Sequence, residues 1–412
     1  MNKYFRPIVA LLILATTTLA CALPFGSSET PSSTEEEVAT VVALTMQALT
    51  PAPDAEATAE PEIPGVLPHS LYFLNNDSIG NAQVFRLGTD GKTLTQITSE
   101  PVAVNSYDVS SADGSVAYVA NNQLLIINAD GSGRRMLADG GPVDANNPFV
   151  TSLTSPVFSP DGQTIAYSHR GLVLYSLASG ASNIILQEIG TDPISGADAP
   201  LRMFIPQKYS PDGTRILITV AIPNSDGISA AIYTVSSNTL TPLSGGDGAR
   251  VCCSQQAWTA DSSALFTALP SVGMLGSGLW RVDASTGNLT TLLPTEAGGG
   301  NYNLADEPYL APDGQLYFFY ATASSPDGFI NRGALQMVRS APDGVTGRTV
   351  LRPETFQFLN EALWAPDGSF VITAVAPSET VYAGGLVEMY YTDYARGVIS
   401  LLPSGQQLKW GP

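Results

Sequence analysis

The stretch Val157 to Tyr167 reads Val-Phe-Ser-Pro-Asp-Gly-Gln-Thr-Ile-Ala-Tyr and predicts two short strands joined by a tight turn. Ser159-Pro160-Asp161-Gly162 fits a type I turn, because proline presets φ at the second position and glycine leaves the turn without steric cost. The flanking residues are β-branched, aromatic or apolar, which is typical of a buried sheet. An isolated hairpin of this length is marginally stable, so the architecture depends on whether the unit recurs.

The unit recurs through the chain at a nearly constant period. Aligned on the turn aspartate, the copies lie at Asp113, Asp161, Asp212, Asp261, Asp313 and Asp367, with spacings of 48, 51, 49, 52 and 54 residues. A period of about 50 residues made only of strand-like segments is typical of a β-propeller. Similar tetrapeptides at Asp327 and Asp343 are out of register and are interpreted as loop turns.

Each repeat is predicted to contain four strands. Around Asp161 these are Val157–Ser159, Ile165–His169, Leu172–Leu177 and Ser182–Leu186. An apolar or aromatic residue usually stands three residues before the turn aspartate: Phe158, Tyr209, Trp258, Leu310 and Trp364. We interpret these side chains as packing between blades and not as a ligand-stacking surface.

The two ends of the repeat region complement each other. Leu71–Leu74, Gln83–Leu87 and Thr93–Ile97 resemble second, third and fourth strands with no first strand before them. Leu408 to Pro412 matches the first-strand segment Leu363 to Pro366. We therefore predict a strand clasp, in which the C-terminal segment completes the N-terminal blade. The fold class is all-β, a seven-bladed β-propeller of four-stranded antiparallel blades over residues 70–412.

The repeats resemble the TolB-like, WD-repeat-like propeller family, on Ser-Pro-Asp-Gly followed by an apolar strand such as Ile165-Ala166-Tyr167. The resemblance covers about Ser70 to Pro412. It implies a protein-binding platform or the non-catalytic domain of a serine peptidase. No hydrolase domain is expected, because the chain ends as the ring closes. The tetrapeptide is structural in this family, so the resemblance supplies no catalytic residue.

The first 20 residues are predicted to be a signal peptide, since Lys3 and Arg6 precede an apolar run from Ile8 to Leu14. Thr18-Leu19-Ala20-Cys21 resembles the lipobox of bacterial lipoproteins, although leucine stands one place later than usual. That resemblance implies cleavage before Cys21 and its acylation. Ordinary secretion is the alternative, because Ala20-Cys21-Ala22 also fits a small-x-small cleavage site.

Residues 21–69 are predicted to be a stalk. No lysine or arginine occurs between Arg6 and Arg86. A capping box at Ser33 and Glu36 precedes apolar residues at helical spacing, which indicates one short helix. Prolines spread over Thr50 to Pro68 indicate a semi-extended spacer. This composition favours the lipid-anchored interpretation over ordinary secretion.

Composition excludes some classes of partner. The chain has 412 residues, of which 18 are Lys or Arg and 37 are Asp or Glu, for a net charge of −19. A nucleic-acid-binding protein needs a basic surface, so no nucleic-acid partner is predicted. Contact with the membrane is expected only through the lipid anchor.

No cofactor or metal is predicted. His69 and His169 have no second histidine or cysteine at zinc-ligand spacing. No nucleophile-elbow or phosphate-loop motif occurs. The many aspartates raise the possibility of calcium, but in Asp-Gly turns the carboxylate more often accepts local backbone N–H groups.

Cys252 and Cys253 leave two alternatives open. In an oxidising compartment they form a vicinal disulfide, which is strained because adjacent Cα atoms lie only about 3.8 Å apart. Otherwise they are two buried, reduced thiols.

The candidate binding site is the channel mouth on one face of the propeller. The longer connections lie on this face: Ala138–Thr154, Glu188–Pro206, Ser244–Gln255, Thr295–Glu307, Arg352–Glu361, Ala321–Ala334 and Ala376–Gly385. Long loops on a rigid scaffold concentrate binding residues. Arg202, Arg250, Glu307 and Glu361 are predicted on the rim of the mouth, with loop-tying ion pairs as the alternative.

The leading functional hypothesis is an extracytoplasmic binding module for an envelope protein or glycan, with no enzymatic activity. The alternative is an enzyme, of hydrolase or lactonase type, whose carboxylates act at the channel mouth. A matched set of acid, base or metal-ligand groups there favours the enzyme. A broad apolar or aromatic patch favours the binding module.

Overall fold

The computed structural model describes residues 65–145, 148–191, 198–223, 227–243, 251, 255–271, 276–324 and 332–412. The regular secondary structure of these residues is almost entirely β-strand, with one short helix, α1 (Pro148–Thr151). No helix in these ranges combines the length and the apolar character that crossing a membrane requires. The signal peptide, the stalk up to residue 64, Arg250, Cys252, Cys253 and Asp327 lie outside the described residues.

The strands are short and follow one another closely along the chain. The first half contains β1 (Leu71–Asn76), β2 (Ala82–Leu87), β3 (Leu94–Gln96), β4 (Val104–Val109), β5 (Val116–Ala120), β6 (Gln123–Ile127), β7 (Arg135–Asp139), β8 (Thr154–Phe158), β9 (Thr164–Ser168), β10 (Leu172–Ser176), β11 (Ser182–Leu186), β12 (Glu188–Thr191), β13 (Asp198–Tyr209), β14 (Arg215–Ala221), β15 (Ile228–Thr234) and β16 (Thr239–Pro242). The second half contains β17 (Gln255–Trp258), β18 (Ala264–Leu269), β19 (Gly278–Asp283), β20 (Leu289–Leu293), β21 (Glu296–Gly298), β22 (Asn301–Leu310), β23 (Leu316–Ser324), β24 (Leu335–Ser340), β25 (Thr349–Phe356), β26 (Leu359–Trp364), β27 (Phe370–Val375), β28 (Gly385–Tyr391) and β29 (Val398–Trp410).

These strands form six hydrogen-bonded sheets of consecutive antiparallel strands. Three sheets have four strands each: β4 to β7, β8 to β11 and β17 to β20. Two sheets add a fifth strand at one edge, β12 beside β13 and β21 beside β22. The last has seven strands, in the order β26-β27-β28-β29-β1-β2-β3. The repeated four-stranded unit confirms the predicted propeller architecture.

The seven-stranded sheet contains the predicted strand clasp. The first part of β29 pairs with β28, as in Val387 with Leu402. Its last part pairs with β1, where Leu71 faces Trp410 and Tyr72 faces Lys409. The clasp is therefore confirmed. The count of seven blades stays a prediction, since it requires counting this sheet as two blades.

The first strand of each four-stranded set is its inner strand, and we use this term for β4, β8, β13, β17, β22, β26 and the end of β29. Consecutive inner strands contact one another, as β4 contacts β8 and β29 contacts β4. Hydrogen bonds join them: the Phe158 N–H donates to Asp108 at 2.7 Å, and the Tyr107 hydroxyl donates to the Gln407 carbonyl at 2.5 Å. The inner strands therefore surround a central channel.

The Ser-Pro-Asp-Gly turns form as predicted. The Gly162 N–H donates to the Ser159 carbonyl at 2.8 Å, and Gly162 has the positive φ (68°) that glycine adopts without strain. Every turn aspartate of the six repeats accepts the N–H two residues further on, at 2.8–3.0 Å. Asp343 does the same with Val345 between β24 and β25, which confirms that copy as a loop turn.

The predicted packing between blades is also confirmed. Trp364 stacks on Tyr309 at 6.3 Å and lies 5.6 Å from the Tyr317 ring, both of them on the neighbouring sheet. Its indole N–H donates to the Glu307 carbonyl at 2.8 Å. This aromatic contact between sheets excludes water and fixes the position of the inner strand.

Two of the predicted long loops are hairpins instead. Glu188–Pro206 contains β12 paired with the start of β13, and Thr295–Glu307 contains β21 paired with the start of β22. The loop prediction was wrong here, because the added pairing satisfies backbone groups that a loop would leave to solvent. Both hairpins lie at the start of an inner strand, β13 or β22.

Candidate functional site

The pairing of the inner strands is irregular at equivalent positions, which we take as one level of the channel wall. Register shifts interrupt the inner strands at or beside the residue six places before the turn aspartate. At this level Ser155, Glu307 and Gln407 have left-handed backbone, with φ of 56°, 49° and 54°. Such bulges re-aim side chains next to functional sites, and a non-glycine residue in this conformation costs about 1 kcal/mol or more.

Glu361 lies in the channel wall and holds the clasp. Its two carboxylate oxygens accept the N–H groups of Gln407 and Leu408, each at 2.8 Å. Burial raises the pKa of Glu361, and the two N–H donors oppose that rise. Glu361 therefore connects the inner strand β26 to the end of β29.

Glu307 lies at the equivalent place in β22 and is 8% exposed. Its carboxyl accepts the Ala362 N–H of the next inner strand, and its own N–H donates to Asp306 at 3.0 Å. Burial raises the pKa of Asp306 to about 7, and burial together with Asp306 raises the pKa of Glu307 well above its usual range. Burial therefore favours the protonated form of both carboxyls.

Arg202 lies on the β12–β13 hairpin, away from this pair. It faces Glu188 across the hairpin, forms an ion pair with that carboxylate, and lies over the Phe204 ring at 5.5 Å. Within the described residues, no hydrogen bond or ion pair links Arg202 to Glu307 or Glu361. Glu307 and Glu361 thus interact electrostatically with each other, whereas Arg202 pairs with Glu188 on its own hairpin.

The placement of the glutamates differs from the predicted rim. Both side chains are largely buried between inner strands and bind backbone N–H groups of the next strand. The sequence could not show this, because the donors follow only from the register between separate repeats. Glu307 and Glu361 as ligand-binding residues therefore stay a prediction.

Sequence reasoning missed a second group in the channel, consisting of Asp108, Lys208 and Lys409. Lys409 forms an ion pair with Asp108 at 2.7 Å and lies over the Tyr107 ring at 5.6 Å. A signal was present, because Lys208-Tyr209-Ser210-Pro211 and Lys409-Trp410-Gly411-Pro412 share the pattern Lys-aromatic-x-Pro at equivalent places. In the part of the chain that the structure describes, no group of three or more His, Cys, Asp or Glu is arranged to hold a metal ion.

Exposed apolar side chains are more numerous on one face than on the other. We call this the loop face: it carries the connections between second and third strands and those between blades. Ten exposed large hydrophobic residues of the described chain lie there: Ile79, Val102, Val143, Phe149, Ile189, Leu201, Ile222, Ile228, Tyr382 and Leu386. By the same criterion, the opposite turn face carries six: Val66, Leu94, Val345, Val350, Tyr394 and Val398. A face rich in exposed apolar side chains is typical of an interaction surface.

Arg332 fixes the connection that carries Tyr382. Its guanidinium donates to the Val381 carbonyl at 2.6 Å and to Asn360 Oδ1 at 2.5 Å. It also lies over the Tyr382 ring, 5.1 Å from the ring centroid. Tyr382 is 74% exposed, so this loop presents a large aromatic side chain in a fixed position. Preorganised aromatic residues are frequent hot spots of protein interfaces.

Solved structures that this chain resembles include TolB and several enzymes, whereas no family model and no curated protein matches this chain. TolB from Acinetobacter baumannii is 14% identical, with 83% of this chain and 82% of that chain covered and a TM-score of 0.41. Oligogalacturonate lyase in complex with manganese is 11% identical, with coverages of 78% and 81% and a TM-score of 0.50. A Mycobacterium tuberculosis puromycin-hydrolyzing peptidase is 14% identical, with coverages of 82% and 53% and a TM-score of 0.51. At such identities the similarity shows the fold alone: the chain is a β-propeller, as its repeats predict.

Proposed function

We propose that this chain is an extracytoplasmic propeller that binds an envelope protein through its loop face. The observation that carries the proposal is the set of ten exposed apolar side chains on the loop face of the described residues, among them Tyr382, which Arg332 holds in place. Apolar and aromatic side chains on a rigid scaffold favour a protein partner over a glycan, whose surface is mostly polar. No basic surface is needed for such a partner.

Several features support a binding module over an enzyme. The Glu361 carboxylate is occupied by two backbone donors, and Glu307 is engaged with the Ala362 N–H. Neither is free to approach a substrate from this arrangement. The alternative, a hydrolase or lactonase type of enzyme, rests on Asp306 and Glu307, because buried carboxyls with raised pKa values are also common in active sites.

Replacing loop-face residues should abolish capture of the partner from native envelope extracts. The variant combines Ile79→Ser, Leu201→Ser and Tyr382→Ser, all exposed side chains. Since each interface hot spot contributes about 2 kcal/mol, we expect capture to weaken at least about 100-fold. Quantitative pull-down followed by mass spectrometry measures the loss.

The matched control is Val345→Ser with Tyr394→Ser on the turn face. Both variants remove only exposed side chains, so their thermal midpoints should stay close to that of the native chain. If capture survives the loop-face variant and is lost in the turn-face variant, the partner binds the turn face and the proposal is wrong. A captured glycan in place of a protein would refute the class of partner.

We further propose that an acylated Cys21 anchors the mature chain, on the basis of its signal-peptide-like leader, near-lipobox and proline-rich stalk. Cys21→Ser should move the protein from the membrane fraction to the soluble fraction, because one residue carries both acylation sites. Intact mass of the membrane-extracted protein should show lipid on residue 21. An unmodified N-terminus at Ala22 or Leu23 in a soluble protein would refute the anchor.

A further inference from the structure

Side-chain amides hold the loop-face connections of the seven-stranded sheet. In the connection between β27 and β28, Asn360 Nδ2 donates to the Gly384 carbonyl at 2.6 Å. Across the clasp, the Ser404 hydroxyl of β29 donates to Asn75 Oδ1 of β1 at 3.1 Å. Because β28 and β29 are paired beside these residues, the connection that carries the exposed Tyr382 is joined to the end of β1.

The amide bonding continues into the connection between β3 and β4. Asn81, at the turn between β1 and β2, donates from Nδ2 to the Pro101 carbonyl at 3.1 Å. Gln83, fully buried in β2, donates from Nε2 to the carbonyls of Glu100 and Val102 at 3.0 and 3.3 Å. These bonds hold the backbone of the exposed residue Val102 against the sheet.

Asn122 does the same for the connection between β7 and β8. Its Nδ2 donates to the carbonyls of Gly141 and Thr151 at 2.9 and 3.2 Å, and its Oδ1 accepts the Leu153 N–H at 2.6 Å. One buried side chain thus bonds both the start and the end of this connection. Hydrogen bonds of this kind, made by a satisfied buried polar group, restrict the conformations that a connection can adopt.

We call these connections the amide-held arc, which consists of residues 77–81, 98–103, 140–145, 148–153 and 376–386. Six of the ten exposed large hydrophobic residues of the loop face lie on it: Ile79, Val102, Val143, Phe149, Tyr382 and Leu386. Ile79 and Tyr382 are 75% and 74% exposed. Because the backbone that carries these side chains is already held, a partner that covers them loses little affinity to ordering. The arc is therefore a preorganised apolar surface.

The arc also carries an excess of negative charge. Its sequence has no lysine or arginine and contains four acidic residues: Asp77, Glu100, Asp144 and Glu379. Glu100 is paired with Arg134 at 2.6 Å, and Arg332, which precedes β24, lies over the Tyr382 ring. Interfaces have complementary potentials, so a partner of positive charge is favoured. The acidic stalk, a second copy of this chain and an anionic membrane carry the same sign as the arc and are disfavoured.

We propose that the amide-held arc docks a basic, apolar segment of a partner protein. The apolar side chains of that segment cover the exposed residues of the arc, and its lysines or arginines lie beside Asp77, Asp144 and Glu379. This inference rests on the proposed function, since it locates the protein-binding site within the loop face and names the chemistry of the partner.

The test is fluorescence anisotropy of the full chain, purified in detergent, with three labelled peptides of equal length. One peptide contains lysine and leucine, one glutamate and leucine, and one lysine and serine, and empty micelles serve as the blank. The native chain should bind the lysine–leucine peptide with a Kd of about 100 µM or better, at least about tenfold tighter than the other two. Raising the salt from about 50 mM to about 300 mM should weaken that binding severalfold.

Ile79→Ser combined with Tyr382→Ser should weaken binding of the lysine–leucine peptide at least about tenfold, because it removes two exposed apolar anchors of the arc. The matched control is Ile189→Ser with Leu201→Ser, which lie exposed on the β12–β13 hairpin of the same face, outside the arc. This control should bind the peptide as the native chain does. Thermal midpoints show whether all variants are folded.

Glu379→Lys tests the charge of the arc. It should weaken binding of the lysine–leucine peptide at least about threefold at low salt, because it places a like charge beside the peptide. Glu296→Lys makes the same change at an exposed glutamate outside the arc, on β21, and should leave binding unchanged.

Three results would overturn the arc as the docking site: no binding of the lysine–leucine peptide up to about 1 mM, equal binding of the glutamate–leucine peptide, or equal weakening by the two apolar pairs. Capture from native envelope extracts separates this failure from failure of the proposed function. If capture survives the arc pair and is lost with the hairpin pair, the loop face binds a protein elsewhere and only the arc is refuted. If capture survives both pairs, the loop face itself is refuted.

Discussion

Deleting Gln407–Pro412 should open the ring and lower the free energy of unfolding by roughly 5 kcal/mol or more. These residues form the last part of β29, which pairs with β1 through Leu71 with Trp410 and Tyr72 with Lys409. Without them the edge of β1 loses its partner, and its N–H and C=O groups lose their hydrogen bonds.

The same segment makes side-chain contacts with β26 and β27 of its own sheet and with β4 of the neighbouring sheet. The Trp410 indole N–H donates to the Trp364 carbonyl at 2.9 Å, and its ring meets Phe370 edge-on at 6.2 Å. Lys409 neutralises Asp108, and the Gln407 carbonyl accepts the Tyr107 hydroxyl. The deletion therefore removes packing, strand pairing and an ion pair together, which explains the size of the expected effect.

Thermal or urea unfolding followed by circular dichroism measures this loss. Removing Pro412 alone is the control, because it leaves the pairing of Trp410 with Leu71 in place. We expect little change from that control. An unchanged unfolding midpoint after deletion of Gln407–Pro412 would show that the clasp does not contribute to stability.

The second large effect is expected from Glu361→Ala, which should cost roughly 2–4 kcal/mol. The substitution leaves the N–H groups of Gln407 and Leu408 without acceptors. Gln407 has left-handed backbone (φ 54°), which is strained for a residue other than glycine. The substitution also removes the hydrogen bond to Glu361 that stabilises this conformation. Chemical denaturation of the variant and the native chain gives the difference.

Glu379→Ala is the matched control for the change of charge, because Glu379 is exposed and lies on a connection of the same sheet. Glu361→Gln should be intermediate, since an amide offers one acceptor oxygen where the carboxylate offers two. If Glu361→Ala and Glu379→Ala have equal stability, the carboxylate is not the connection between β26 and β29.

Local chemistry explains which features the sequence predicted well. The turn around Asp161 depends on residues within two positions of each other, so its proline, aspartate and glycine specify it directly. The clasp was predictable because Leu408 to Pro412 repeats a pattern seen earlier in the chain. In a repeat protein, a pairing between distant segments can be predicted by comparing each segment with the equivalent strand of another repeat.

The features that the sequence did not predict depend on contacts between repeats. Glu361 accepts hydrogen bonds from Gln407 and Leu408, which lie 46 and 47 residues later. No local sequence pattern predicts the register that brings these residues together. The left-handed conformation of Ser155 and Glu307 follows from bulges that their partner strands impose. Arg202 was predicted beside these carboxyls, but the hairpin of β12 and β13 gives it Glu188 as a nearer partner.

The clasp also sets the order in which the molecule can assemble. Asn75 in β1 and Ser404 in β29 are hydrogen-bonded although 329 positions separate them. During synthesis β1 is made early, while the strand that must cover its edge arrives only after every other repeat. Closing so long a loop is slow, and an uncovered strand edge invites pairing with another chain in the meantime. A chain that terminates within its last repeat is therefore left with an open, aggregation-prone edge at its beginning, and not with a slightly smaller ring.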